Sequence, residues 1–276
     1  MKKLIVLLSF IGLMNSPVVA KDDLLKIAAT IEAEGKMLYR LEKASWHGTD
    51  LFMEKYAYPD NIGGYFSYIQ NDTPKCVFVS KTTVPQVIGT IVFTNDFNLD
   101  QAKVIMSGRE LSPAEQDIFA LRKAAINAIA TDAFQMKFFE NTNPNVIPVI
   151  RGTKREVYIL TGPKNAGAVL FGNDYLLDFD AKNNLTSAKP LHKNLIPIEY
   201  NSEAETEISM HSHTASTGNF ITATDICTLM LYAEIAGWKQ HYVVTDKYFN
   251  IWDVKNQKLM ITTKKAMEKI LKSTNK

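Results

Sequence analysis

Apolar residues recur along this chain at two spacings, and the alternation between them predicts its elements. Asp22 to Glu34 sets Leu24, Leu25, Ala28 and Ile31 on one stripe, the spacing of an amphipathic helix. Gly35 to Tyr58 keeps no clear period, and its Trp46-His47-Gly48-Thr49-Asp50 reads as a loop, with His47 a hydrogen-bonded structural residue. From Gly63 the pattern shortens to β-rich runs at Gly64 to Gln70, Lys75 to Ser80 and Gln86 to Phe93. Turn residues separate them, so an antiparallel meander is expected. A second helix opens at Leu111-Ser-Pro-Ala-Glu115. There Ser112 caps, Pro113 takes the first helical position and Glu115 completes a capping box. Ile118, Leu121, Ala125 and Ala128 carry its stripe to about Ala130.

The polar, proline-bearing stretch Glu140 to Pro148 marks the expected boundary, dividing the chain into 21–148 and 149–276. Beyond it, strands are expected at Glu156 to Thr161, Ala168 to Phe171 and Asp174 to Asp180, the last turning through Ala181 to Asn184 into Leu185 to Lys189. Asp178, Asp180 and Asn183 lack the glycine and distal glutamate of a calcium loop and read as an ordinary turn. His192 has no partner nearby in sequence and reads as structural. A strand at Thr206 to His211, a polar loop and a helix from about Thr222 to Ala236 follow, stopped by Gly237. His241 to Thr245, Tyr248 to Asp253 and Leu259 to Thr262 read as strands, and a helix from Lys264 closes the chain. The fold class is mixed α+β, with a helix-and-meander N-terminal half of unassigned role.

Composition changes the picture mainly at the start. Lys2 and Lys3, the apolar run Leu4 to Met14 and the small residues of Ser16-Pro-Val-Val-Ala20 have the layout of a secretory signal peptide, residues 1–20. An exported protein, most plausibly of a bacterial periplasm, is expected, without a membrane anchor after cleavage. Loss of that segment removes two of the 31 basic residues and none of the 29 acids, leaving no net charge. A balanced surface without basic runs argues against nucleic acid as a partner. Two cysteines, Cys76 and Cys227, lie in apolar contexts and read as buried thiols rather than a disulfide framework. Cys227, at the start of an apolar helix, is a poor nucleophile candidate.

Chemistry concentrates in Ile208 to Asp225, which holds two of the five histidines one residue apart. Residues two apart on a strand share a face, roughly 6.5 Å from each other. His211 and His213 therefore direct both imidazoles at one point, and Asp225 in the first turn of the next helix supplies a carboxylate if the loop folds back. Those three donors with water in the fourth position make an open zinc site. The plainer alternative stays open: a polar strand end, and a Thr222-Ala-Thr-Asp225 sequence that only caps a helix.

At these residues the chain resembles the JAMM (also MPN or JAB) metalloprotease family. His211-Ser212-His213 matches its His-Ser/Thr-His, and Thr222-Ala-Thr-Asp225 stands where Ser-x-x-Asp opens a helix. The likeness covers roughly residues 150–276, with a loop longer by one residue, Thr214 where proline is common and threonine for serine at 222. The resemblance implies a central mixed sheet flanked by helices and one zinc ion held by His211, His213 and Asp225. It further implies an upstream glutamate as general base, Thr222 as oxyanion donor and hydrolysis of a peptide or isopeptide bond in an unidentified peptide or protein substrate. Glu156 is the best match for the base; Glu203, Glu205 and Glu207 lie too close to the histidine strand. A domain without that glutamate in reach would be a non-catalytic binding module.

Overall fold

A computed structural model describes residues 20–200 and 207–274; residues 1–19 of the expected signal peptide lie outside the described residues, as do Glu203 and Glu205. The fold is mixed α+β. A long helix, α1 (Lys21–Met53), leads into an antiparallel meander of β1 (Ile62–Gln70), β2 (Thr73–Ser80), β3 (Val87–Val92) and β4 (Lys103–Ile105). Helix α2 (Pro113–Ala130) follows, and the Ser112/Glu115 capping box forms as expected.

The second sheet is antiparallel, ordered β5 (Thr142–Arg151), β6 (Lys154–Pro163), β8 (Tyr175–Phe179) and β9 (Leu185–Pro190). Strand β7 (Ala168–Gly172) pairs separately with β10 (Leu195–Glu199). The last sheet runs β11 (Ile208–Ser212), β12 (Gln240–Val244), β13 (Tyr248–Asp253) and β14 (Lys258–Thr263). Only its β11–β12 pair is parallel, and the connection between them carries α3 (Ala223–Tyr232). Helix α4 (Lys264–Thr274) ends the described chain. No helix among the described residues is long and apolar enough to cross a membrane.

One expectation is corrected here. The loop expected at Trp46 to Asp50 is helical, because α1 continues to Met53. Gly35 and Gly48 do not break it; they allow close approach. A Cβ on Gly35 would stand 2.5 Å from Ile226 Cβ, and one on Gly48 2.5 Å from Cys76 Cβ. Helix α1 is about 50 Å long and enters three cores. It gives Ala28 to the core around Trp252, Leu38 and Leu41 to the layer over β5 and β6, and Ala44 and Phe52 to the meander, where Phe52 stacks on Phe78 at 3.9 Å.

The boundary expected near residue 148 falls inside β5, which pairs with β6 in unbroken register from Thr142 to Arg151. Pro144 and Pro148 are tolerated because β5 is an edge strand of its sheet and needs no second ladder. Cys76 and Cys227 are both free and buried; burial pushes the Cys76 thiol up to about 12 and Cys227 well above the ordinary range, so both rest as inert thiols.

Candidate metal centre

Strand β11 carries its polarity inside out. Ser209 and His211 are buried, whereas Ile208 and Met210 are 56% and 59% exposed. His213 continues the inward face just beyond the strand, where its amide still donates to the Val244 carbonyl at 3.0 Å. A strand that buries imidazoles and exposes aliphatics must satisfy those imidazoles by other means.

The loop after His213 folds back as the convergence required. Asp225 reaches the histidines from the third helical position of α3, where its Oδ2 accepts from the Thr222 amide and hydroxyl, each at 2.8 Å. Its Oδ1 is buried and accepts no hydrogen bond. Facing Asp225 are His192 Nε2 at 3.3 Å from Oδ1, His211 Nε2 at 3.7 Å from Oδ1, and His213 Nε2 at 3.4 Å from Oδ2. The Nε2 atoms of His192 and His213 are 2.9 Å apart, and those of His211 and His213 are 3.1 Å apart. All four side chains are at most 2% exposed. His192, His211, His213 and Asp225 thus form a buried group that can hold a metal ion. Tetrahedral ligands at zinc-like bond lengths lie roughly 3.3–3.4 Å from one another; the four ligand atoms here all lie within 4.8 Å of one another, close enough to gather around one ion.

The far side of each imidazole is occupied. His192 Nδ1 lies 2.7 Å from Asp174 Oδ1, His213 Nδ1 lies 2.9 Å from the Phe220 carbonyl, and His211 Nδ1 lies 2.9 Å from His241 Nε2. His241 Nδ1 in turn lies 2.7 Å from Ser209 Oγ, and Thr224 donates its hydroxyl to Asp174. Asp174 and the Phe220 carbonyl accept from Nδ1 of His192 and His213, and His211 Nδ1 meets the His241 ring, so each Nε2 is turned inward to serve as a ligand atom once it carries no proton, the outer arrangement of metal-bound histidines. Phe171 packs against His211 and His241, with ring centroids 4.8 Å away from each, and keeps the surroundings apolar.

Electrostatics agree with the geometry. Burial disfavours a charged His192, but the Asp225 and Asp174 carboxylates outweigh it and lift that imidazole to about 11. Burial lowers His211 to about 4 and His241 to about 3. Burial would raise Asp225; His192 and His211 hold it well below the usual carboxylate range instead. One protonated imidazole thus stands against two buried carboxylates. A dication replacing that proton balances both.

His211, His213 and Asp225 are therefore brought together as expected, whereas His192, expected to be structural, joins them. It arrives on the turn after β9, where the Leu191 amide donates to the Asp174 carbonyl at 2.8 Å. Gly172, with φ of +80°, makes room: a Cβ there would lie 2.2 Å from the Asn194 carbonyl oxygen and 3.2 Å from His192 Cβ. Nothing local in Pro190-Leu-His-Lys marks this residue. The nearest sequence hint is a second acidic residue, Asp174, directly after a Gly-Asn turn.

Glu156 is placed elsewhere. It is 1% exposed on β6, paired across to Val149 and Asp178, and its carboxylate takes Arg151 and Lys154, each at 2.6 Å. Thr161, five residues on and roughly 16 Å along the strand, donates to the carbonyl of Asn173, the residue before Asp174. Glu207 is exposed and bound to Lys239. The Thr222 hydroxyl is used at home, donating to Asp225 Oδ2 and accepting from the Asp225 amide at 3.1 Å.

No protein-family model matches the chain, and neither a curated protein nor a solved structure matches it.

Proposed function

We propose that this chain is a metal-stabilised binding module, holding one zinc ion through His192, His211, His213 and Asp225. The observation that carries this reading is the fourth protein donor: His192 Nε2 stands 3.3 Å from Asp225 Oδ1 and 2.9 Å from His213 Nε2. Three imidazoles and one carboxylate with ligand atoms within 4.8 Å of one another suit zinc, and four protein ligands in a sealed pocket are the pattern of a structural site. The ion ties β11, α3 and the turn after β9 into one unit, so binding and folding are coupled. The module works as an exported protein, and its partner is a peptide or another protein.

A second reading keeps the JAMM-like zinc hydrolase. In its favour stand the strand, loop and helix that bring His211, His213 and Asp225 together with Thr222 beside them. Against it stand two facts of geometry. The four donors are closed to solvent, leaving a scissile amide no route to the ion, and the Glu156 carboxylate is engaged by two cations.

Metal analysis of the purified full chain, with and without His192→Ala, separates the readings. The module reading expects one equivalent of zinc, no cleavage of peptide or isopeptide substrates, and much weaker metal retention in the variant. Peptide hydrolysis by the parent protein that Glu156→Gln abolishes would establish the hydrolase instead. A parent protein without metal would overturn both.

A further inference from the structure

Helix α1 presents a mostly polar stripe to a surface cleft. Glu42, Ser45, Trp46, Thr49 and Asp50 recur at the spacing of one helical stripe, and all five line a cleft of about 500 Å³ distinct from the metal group. Asn143 and Asn145, two apart on β5, supply amides from the facing wall. Trp46 and Tyr232, ring centroids 5.9 Å apart, and Tyr200 supply aromatic surface. Glu42 is 9% exposed, yet among the described residues no hydrogen bond or ion pair reaches its carboxylate, and burial and the Arg122 charge are what act on it. The cation whose charge acts on it, Arg122, lies over the ring of Tyr65 at 4.7 Å.

We propose that this cleft binds a small organic ammonium ligand, whose cationic nitrogen pairs with Glu42 against the Trp46 and Tyr232 rings while its polar remainder meets Asn143 and Asn145. A buried carboxylate without a partner is costly, and a charged donor from outside removes that cost. Aromatic faces beside an acid are the usual setting for such a cation. Asp50 adds a second negative charge to the lining, and Lys164 is its one basic residue. Burial, partly offset by Arg122, raises Glu42 to about 7, so at neutral pH an ammonium would take the place of a proton on part of the population.

The test titrates the full chain with n-butylammonium, cadaverine and tetramethylammonium, and with uncharged alcohols of the same shape, by calorimetry and by fluorescence. Trp46 reports on the cleft, while Trp238 and Trp252 are buried in another core and give a constant background. Saturable binding of at least one ammonium is expected, weakened by about tenfold to a hundredfold in Glu42→Gln. Asn145→Ala, on the opposite wall, weakens it independently should the glutamine variant fold poorly. Equal binding of the alcohols, affinity unchanged in a folded Glu42→Gln, or no binding of any ammonium would overturn the proposal.

Discussion

Two helices of this protein begin with the same device and use it to opposite ends. Both α2 and α3 open with a capping box, and in each the carboxylate at the third helical position is 1% exposed. Glu115 of α2 has its needs met by its own chain. Arg109 grips both its oxygens at 2.7 Å, the Ser112 amide donates at 2.8 Å and Tyr68 at 3.0 Å. Asp225 of α3 has only the cap on one oxygen, and its other oxygen faces imidazoles aimed at the same point. A capping carboxylate is therefore structural where the fold brings it a permanent cation such as Arg109, and a ligand where the fold brings it imidazoles, whose one proton a metal ion can replace.

The largest effect expected from breaking this contrast is loss of the ion. Chelation, or His211→Ala, should remove stoichiometric metal and lower thermal stability. A ligand present at a thousand times its Kd contributes about 4 kcal/mol, which corresponds to a Tm lower by about 10 °C in a chain of this size. Calorimetry with and without chelator measures it. The outer ring comes next: Ser209→Ala and His241→Phe leave all four donors in place and should weaken metal affinity by about tenfold to a hundredfold, read by competition with a chromophoric chelator.

Glu115→Gln should leave metal content untouched and cost about 2 kcal/mol in denaturant unfolding, through lost charge-assisted bonds. Burial alone would raise the Glu115 pKa, but Arg109, the Ser112 amide and Tyr68 outweigh it and hold it at about 2. A depressed pKa contributes stability above the unfolded value, near 4.3, and loses it as pH falls through the folded one. The gap between parent and Glu115→Gln should therefore close between about pH 5 and about pH 2. The smallest effect belongs to Glu156→Gln. Its partners Arg151 and Lys154 are 41% and 59% exposed, so solvent screens both pairs. Metal content should not change, and stability should fall by about 1 kcal/mol or less.

What the sequence made legible follows the range of each cause. The meander strands and the Ser112/Glu115 box rest on alternation and on contacts three residues apart, and both formed as expected. His211, His213 and Asp225 were readable because a strand face and a helix start sit next to each other in sequence. The full length of α1 was hidden because Gly35 and the Trp46-His47-Gly48 stretch mask a helical period that Leu38, Leu41, Ala44 and Phe52 do keep. Strand β5 was hidden by two prolines that only an edge strand admits. His192 was hidden for a tertiary reason: its place depends on Asp174, on Thr224 and on the backbone of Gly172, none of them adjacent to it in sequence.

X-ray absorption at the edge of the bound metal, on the purified full chain, tests the central claim most directly. A single ion with four nitrogen or oxygen donors at about 2.0–2.1 Å, three of them imidazoles, is the expected result. Two imidazoles with a coordinated water, unchanged by His192→Ala, would contradict it.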